Sequence, residues 1–143
     1  MNSKLPKVKV AFILEGKDFD VDKITERLKV PPTSVRSKND WPDAIKNLPE
    51  NYPDNLKPRV NWILETEKEI CDSVQKQFEK ITKKLVGKEE IIKNLCLQYN
   101  LETGFTIVID MEEMNRPELF LTKEIISFAA SINAEIGFDL YIY

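Results

Sequence analysis

Residues 8–35 read VKVAFILEGKDFDVDKITERLKVPPTSV, and residues 105–143 read FTIVIDMEEMNRPELFLTKEIISFAASINAEIGFDLYIY. In the first stretch Val8, Val10, Phe12 and Leu14 alternate with Lys9, Ala11, Ile13 and Glu15, the period-two pattern of a strand with one strongly apolar face. An acidic turn, Gly16–Asp22, follows. Asp20 or Asp22 can cap a helix there, because the first helical N–H groups need an acceptor, and Val21, Ile24 and Leu28 form its apolar stripe. Pro31 and Pro32 end the helix, since proline lacks the N–H donor and restricts its predecessor; a short strand is expected over Thr33–Lys38.

The second stretch repeats the order. Phe105, Ile107, Ile109 and Met111 share one strand face, an acidic turn at Asp110–Glu113 follows, and Thr122 can cap a helix burying Ile125, Ile126, Phe128, Ala129 and Ile132. Asn133 suits the helix exit, and Glu135–Tyr143 closes the chain as a strand with Ile136, Phe138, Leu140 and Ile142 on one face. Between the two halves, Val60–Thr66 reads as a strand, with Trp62 and Leu64 on its core side. Glu67–Leu85 reads as a long helix through Ile70, Cys71, Val74, Phe78, Ile81 and Leu85. Gly87 breaks it, and a helix over Lys88–Tyr99 follows. Asn39–Pro58, with Pro42, Pro49, Pro53 and Pro58, reads as a proline-rich loop insertion with a short helix around Trp41–Asn47.

This order predicts one α+β (α/β) domain over residues 1–143. It has two strand–helix–strand halves and a four- to five-stranded sheet with helices mainly on one face, because three strands each have a wholly apolar side to bury. The two acidic turns occupy equivalent places, which predicts that any carboxylate site lies between the halves.

Composition narrows the chemistry. The 143 residues are 42% hydrophobic and 31% charged, as in soluble globular domains. No apolar run is long enough to span a bilayer, and MNSKLPKVKV lacks a signal-peptide core, so a cytoplasmic location is expected. Cys71 and Cys96 then read as reduced core thiols. The formal charge is −3, yet residues 101–143 hold eight acids and two bases, a net −6 that leaves +3 for the rest. No basic nucleic-acid footprint marks the chain as a whole, and the acidic third favours a basic partner.

There is no histidine, which removes the commonest general base and metal ligand. Four scattered glycines cannot build a phosphate loop. Asp18, Asp20 and Asp22 mimic the opening of a calcium loop, but Lys23 and Lys29 stand where its glycine and bidentate glutamate belong. Glu15, Asp18, Asp110, Glu112 and Glu113 would have to converge to hold magnesium; caps and solvated turns are the simpler expectation, with no catalytic, metal or cofactor site. Asp139 interrupts an apolar and aromatic strand beside Tyr141. As function it would contact a partner's base or cap a polar network with Arg36 or Lys38; as structure it is an outward strand residue paired across the sheet, the reading that is favoured. Trp62 reads as core; Trp41 and Tyr52, in the loop, are candidates for exposed aromatic anchors.

Several of these residues carry a family resemblance. The turn Gly16, Asp18, Asp20, the exit Leu28-Lys29-Val30-Pro31-Pro32-Thr33, the strand tryptophan Trp62 and the closing Asp139-Leu140-Tyr141 resemble the bacterial family catalogued as domain of unknown function 4279. Lys29 replaces that family's usual glycine, and Ile132-Asn133-Ala134 its usual Leu-Gly-Ala. The resemblance implies small, mostly single-domain bacterial proteins, some encoded beside polymorphic toxins and suspected as immunity proteins, and no catalytic residues.

The expectation is therefore a non-enzymatic protein-binding domain, an immunity protein neutralising a cognate, basic, nuclease-like toxin. Contact residues would be Trp41, Tyr52, Asp110, Glu112, Glu113, Asp139 and Tyr141. The alternatives are a phage or mobile-element inhibitor that sequesters a defence component and a carboxylate-dependent metalloenzyme. Neither nucleic acid nor membrane is expected as a partner, and both monomer and homodimer are open, the latter through the Tyr141 strand.

Overall fold

A computed structural model describes residues 5–53 and 56–143. The elements are β1 (Lys7–Gly16), α1 (Val21–Leu28), β2 (Ser34–Arg36), α2 (Asp43–Lys46), β3 (Val60–Glu65), β4 (Glu69–Ile70), α3 (Val74–Leu85), α4 (Glu89–Tyr99), β5 (Glu102–Met111), α5 (Lys123–Ser131) and β6 (Glu135–Ile142). A six-stranded mixed sheet runs β2-β3-β1-β5-β6, with the two-residue β4 paired to the start of β1. The fold is α+β, as the alternation of patterns predicts.

Both halves are strand–helix–strand units, but they are built differently. β5 and β6 are adjacent and parallel across α5. β1 and β2 run the same way but are split by β3, which is antiparallel to both. The halves meet where β1 and β5 pair antiparallel, from Lys7↔Asp110 to Glu15↔Glu102. That pairing overturns the expected site between the acidic turns. Because the strands run oppositely, Gly16–Asp22 and Asp110–Glu113 lie at opposite ends of the sheet. The ten residues of β1, at about 3.4 Å each, separate them by roughly 30 Å.

One face of the sheet carries the core. Val8, Val10, Phe12 and Leu14 of β1, Trp62 and Leu64 of β3, and Phe105, Ile107 and Ile109 of β5 are buried against Ile24 and Leu28 of α1, Phe78, Ile81 and Leu85 of α3, Ile92 and Leu95 of α4, and Ile125 and Ala129 of α5. Four aromatic rings (Phe12, Trp62, Phe105 and Phe78) run in chain contact at centroid separations of 4.6–6.3 Å. The indole N–H of Trp62 donates to Thr25 Oγ1 at 3.0 Å, so its one polar atom is satisfied inside the core.

Helix boundaries follow the chemistry. Asp20 accepts from the Asp22 N–H and starts α1; Lys29 ends it in the left-handed region at φ 58°. Thr122 accepts from the Ile125 N–H to start α5, and Asn133 leaves it at φ 57°. Gly87 stands at φ 80° between α3 and α4.

Three further expectations are corrected. The helix read from Glu67 begins only at Val74, because Glu69–Ile70 pairs with β1 and the Cys71 N–H donates to Pro6 O; Ile70 is 62% exposed. Ile126 is exposed, not buried with Ile125. The apolar face of β6 is also half in water: Phe138 and Leu140 are each 51% exposed and Ile142 58%, because this edge strand is only partly covered by α5.

Candidate protein-binding surface

The sheet face opposite the core is mixed in character and half-buried. Down its centre it presents Lys9, Ala11, Ile13 and Glu15 of β1, flanked by Asn61, Ile63 and Glu65 of β3 and by Gly104, Thr106, Val108 and Asp110 of β5. Its charges are mostly paired across strands. Lys9 Nζ lies 3.4 Å from Glu65 Oε2. Arg59 bridges two acids, with Nε 2.9 Å from Glu15 Oε1 and Nη2 3.9 Å from Glu102 Oε1. The Nε–H is not aimed at the carboxylate oxygen, so the pairing is chiefly coulombic. Where β5 and β6 begin, a shallow hollow of about 560 Å³ opens between Ile13, Gly104, Thr106, Gly137, Asn133 and Glu135. Cys96 lies on its wall with Sγ 2.9 Å from Thr103 Oγ1. Burial pushes this thiol up from its ordinary value, and the Thr103 contact only partly opposes that.

The other end of β5 and β6 gathers most of the expected contact residues. Parallel pairing sets Asp110 beside Tyr141 and Asp139 beside Val108. Glu112 and Glu113 follow in a tight turn closed by the Asn115 N–H on Glu112 O at 3.0 Å. Glu113, Asp139, Met114, Tyr141 and Tyr143 are exposed. Asp110 is different: its Oδ2 accepts from Lys68 Nζ at 3.0 Å, and its Oδ1 is buried without a hydrogen-bond partner among the described residues. Lys68 also stands 5.9 Å from the Tyr141 ring centroid. The Asp110 hydrogen bond holds the Lys68 ammonium above its usual range. Asp110 is therefore an anchor within the corner, and exposed Glu113 and Asp139 carry its outward charge, with half-buried Glu112 beside them.

Trp41 and Tyr52 stand elsewhere, beyond the β2–β3 side. Trp41 is half-buried rather than an exposed anchor: its indole N–H donates to Arg59 O at 2.8 Å, and the Arg36 guanidinium covers one ring face at 3.8 Å. Tyr52 is 41% exposed in the loop; Asp54 and Asn55 of the same loop lie outside the described residues. The network expected between Asp139 and Arg36 or Lys38 does not form, because β3, β1 and β5 lie between β6 and β2. Arg36 stacks on Trp41, and Lys38 pairs with Asp18 at 3.5 Å. Sequence reasoning missed Lys68 and Arg59, since ion pairs between distant strands leave no local pattern. The exposed side of β6 was readable in principle: a strand that closes a strand–helix–strand unit at a sheet edge has only one helix to cover it.

A family model described as Domain of unknown function (DUF4279) matches residues 6–143. The chain belongs to that family. No curated protein and no solved structure matches the chain. In this DUF4279 member the motif-bearing turn is explained by the fold. Gly16 leaves space that a Cβ would fill, 2.6 Å from Leu101 Cδ2; Asp18 faces Lys38; Asp20 caps α1. Among the described residues no three Cys, Asp or Glu side chains are placed to share a metal. The carboxylates that a magnesium site would need are divided between the two ends of the sheet.

Proposed function

We propose that this DUF4279 protein is a non-enzymatic protein-binding domain of bacterial origin that acts in the cytoplasm as an immunity protein, docking a basic, nuclease-like toxin domain at the β5–β6 corner. The observation that carries the reading is the collection of exposed Glu113 and Asp139, with half-buried Glu112 beside them, and of exposed Met114, Tyr141 and Tyr143 on one corner of the sheet. Acids beside aromatic and methionine side chains are what a desolvating, charge-matched interface uses: the apolar groups supply area and the acids supply steering and register. A nuclease must present a basic surface to hold phosphates, so an acidic corner is its electrostatic complement. Tyr52 is a second, separate contact candidate at the far side of the sheet.

Co-expression with the protein encoded beside it tests the reading. Protection from toxicity and a co-purifying complex are expected. Asp139→Lys together with Glu113→Lys should weaken the complex at least tenfold, with most of the loss in the association rate at low salt. A toxic partner that is neither bound nor neutralised would refute the proposal.

A further inference from the structure

The two edges of the sheet are treated in opposite ways. β2 is three residues long, follows Pro31 and Pro32, and carries Arg36 with Lys38 just beyond: a blunted edge. β6 is eight residues long, has neither proline nor lysine, and among the described residues nothing pairs with its outer side. Its backbone polarity can be assigned. The Tyr143 N–H donates inward to Met111 O, so the odd residues of β6 point their N–H and C=O toward β5. The even residues, Ile136, Phe138, Leu140 and Ile142, present theirs to the open edge. The same four side chains lie on the helix face of the sheet, where Phe138, Leu140 and Ile142 are half-exposed. Beside them, Glu124, Ser127, Phe128 and Ser131 of α5 line the hollow toward α3, which leaves exposed Ile126 on the flank away from α3. An open hydrogen-bonding edge thus borders a continuous apolar band.

We propose that β6 is the interface of a two-fold homodimer, pairing antiparallel with β6 of a second copy to continue the sheet across both subunits. A two-fold axis normal to the sheet keeps the helices of both copies on one side, so the apolar bands merge along the seam. The strand chemistry selects the register. Centring on Asp139 would set two carboxylates opposite each other in a closely spaced, non-hydrogen-bonded pair, which is destabilising. Centring on Phe138 uses nearly the whole strand. Ile136 then faces Leu140 of the second copy, Gly137 faces Asp139, and Glu135 faces the Tyr141 ring, whose hydroxyl can donate to it. All even pairs are then of the hydrogen-bonded kind, matching the outward N–H and C=O groups. Asp139 and Tyr141 belong to both this seam and the proposed toxin-binding corner, but the two readings are tested separately: a dimer that neutralises nothing and a monomer that protects are both observable.

The test is the mass of the full chain by light scattering at tens of micromolar. The expected value is twice the 16.6 kDa of one chain. Phe138→Lys, which sets two ammonium groups on the axis at an exposed site, should give monomers with the fold intact by circular dichroism. Leu140→Pro removes an outward N–H that β5 does not use and should do the same. Phe138→Cys should cross-link to itself under mild oxidation, because a hydrogen-bonded antiparallel pair is about 5.5 Å apart at Cα, within disulfide reach; Glu135→Cys should not. A monomeric wild type, a dimer that survives Phe138→Lys, or cross-linking at residue 135 in preference to 138 would overturn the proposal.

Discussion

Single residues explain why the turn after β1 looks the way it does. Gly16 is buried, and a Cβ there would meet Leu101 Cδ2 at 2.6 Å and Phe19 Cδ1 at 3.0 Å. Gly16→Ala is therefore expected to destabilise the fold by about 1–3 kcal/mol through overpacking, read as a lower urea midpoint. An unchanged midpoint would mean that Leu101 and Phe19 give way freely. Lys29 holds the opposite kind of position. Its φ of 58° puts a side chain where glycine is at ease. Lys29→Gly should stabilise by roughly 0.5–1 kcal/mol, the relief of left-handed strain less the added freedom of the unfolded chain. Asn133, at φ 57°, is already a residue that tolerates this region, so Asn133→Gly should gain less.

At the scale of elements, the strand and helix periods made most of the fold legible. Val8–Leu14, Trp62–Leu64 and Phe105–Met111 alternate cleanly, and each puts its apolar face on the core. Asp20, Thr122, Asn133 and Gly87 mark helix ends in the sequence and do so in the structure. The failures share a cause. Ile70 and Cys71 continue the apolar spacing of α3, but pairing of Glu69–Ile70 with the start of β1 overrides that local signal. Strand order is equally non-local: nothing in the chain announces that β3 enters between β1 and β2, or that β1 and β5 run oppositely and so part the two acidic turns. Of the candidate contacts, the parallel β5–β6 pair unites Asp110, Glu112, Glu113, Asp139 and Tyr141, whereas Trp41 and Tyr52 belong to a distant loop. The first acidic turn serves its helix. Asp20→Ala should cost about 1 kcal/mol by removing the N-cap of α1, while binding at the β5–β6 corner stays unchanged in calorimetric titration. A loss of binding equal to that of Asp139→Lys would return the turn to the site.

For the whole molecule, exposed pairs set a modest acid sensitivity. The Ser37 N–H holds Asp40 below the usual carboxylate range, as Lys80 does Glu69 and Lys76 does Asp72. Carboxyls with lowered folded values stabilise above the unfolded range near about 4 and lose that contribution as pH falls through the folded values. The urea midpoint should therefore be flat from neutral pH down to about 5 and decline below about 4; a midpoint that rises on acidification would contradict these pairings. On the proposed reading, binding at the acidic corner should depend on ionic strength, since exposed charges act over roughly a Debye length of 8–10 Å. This corner, on the proposed reading, docks a basic protein domain. Calorimetric titration of the chain with the purified domain encoded beside it, at low and at physiological salt, addresses that directly. A stoichiometric complex that weakens with salt and is lost in the Glu113→Lys, Asp139→Lys double variant is the predicted result. No heat of binding, or equal binding by wild type and double variant, would contradict it.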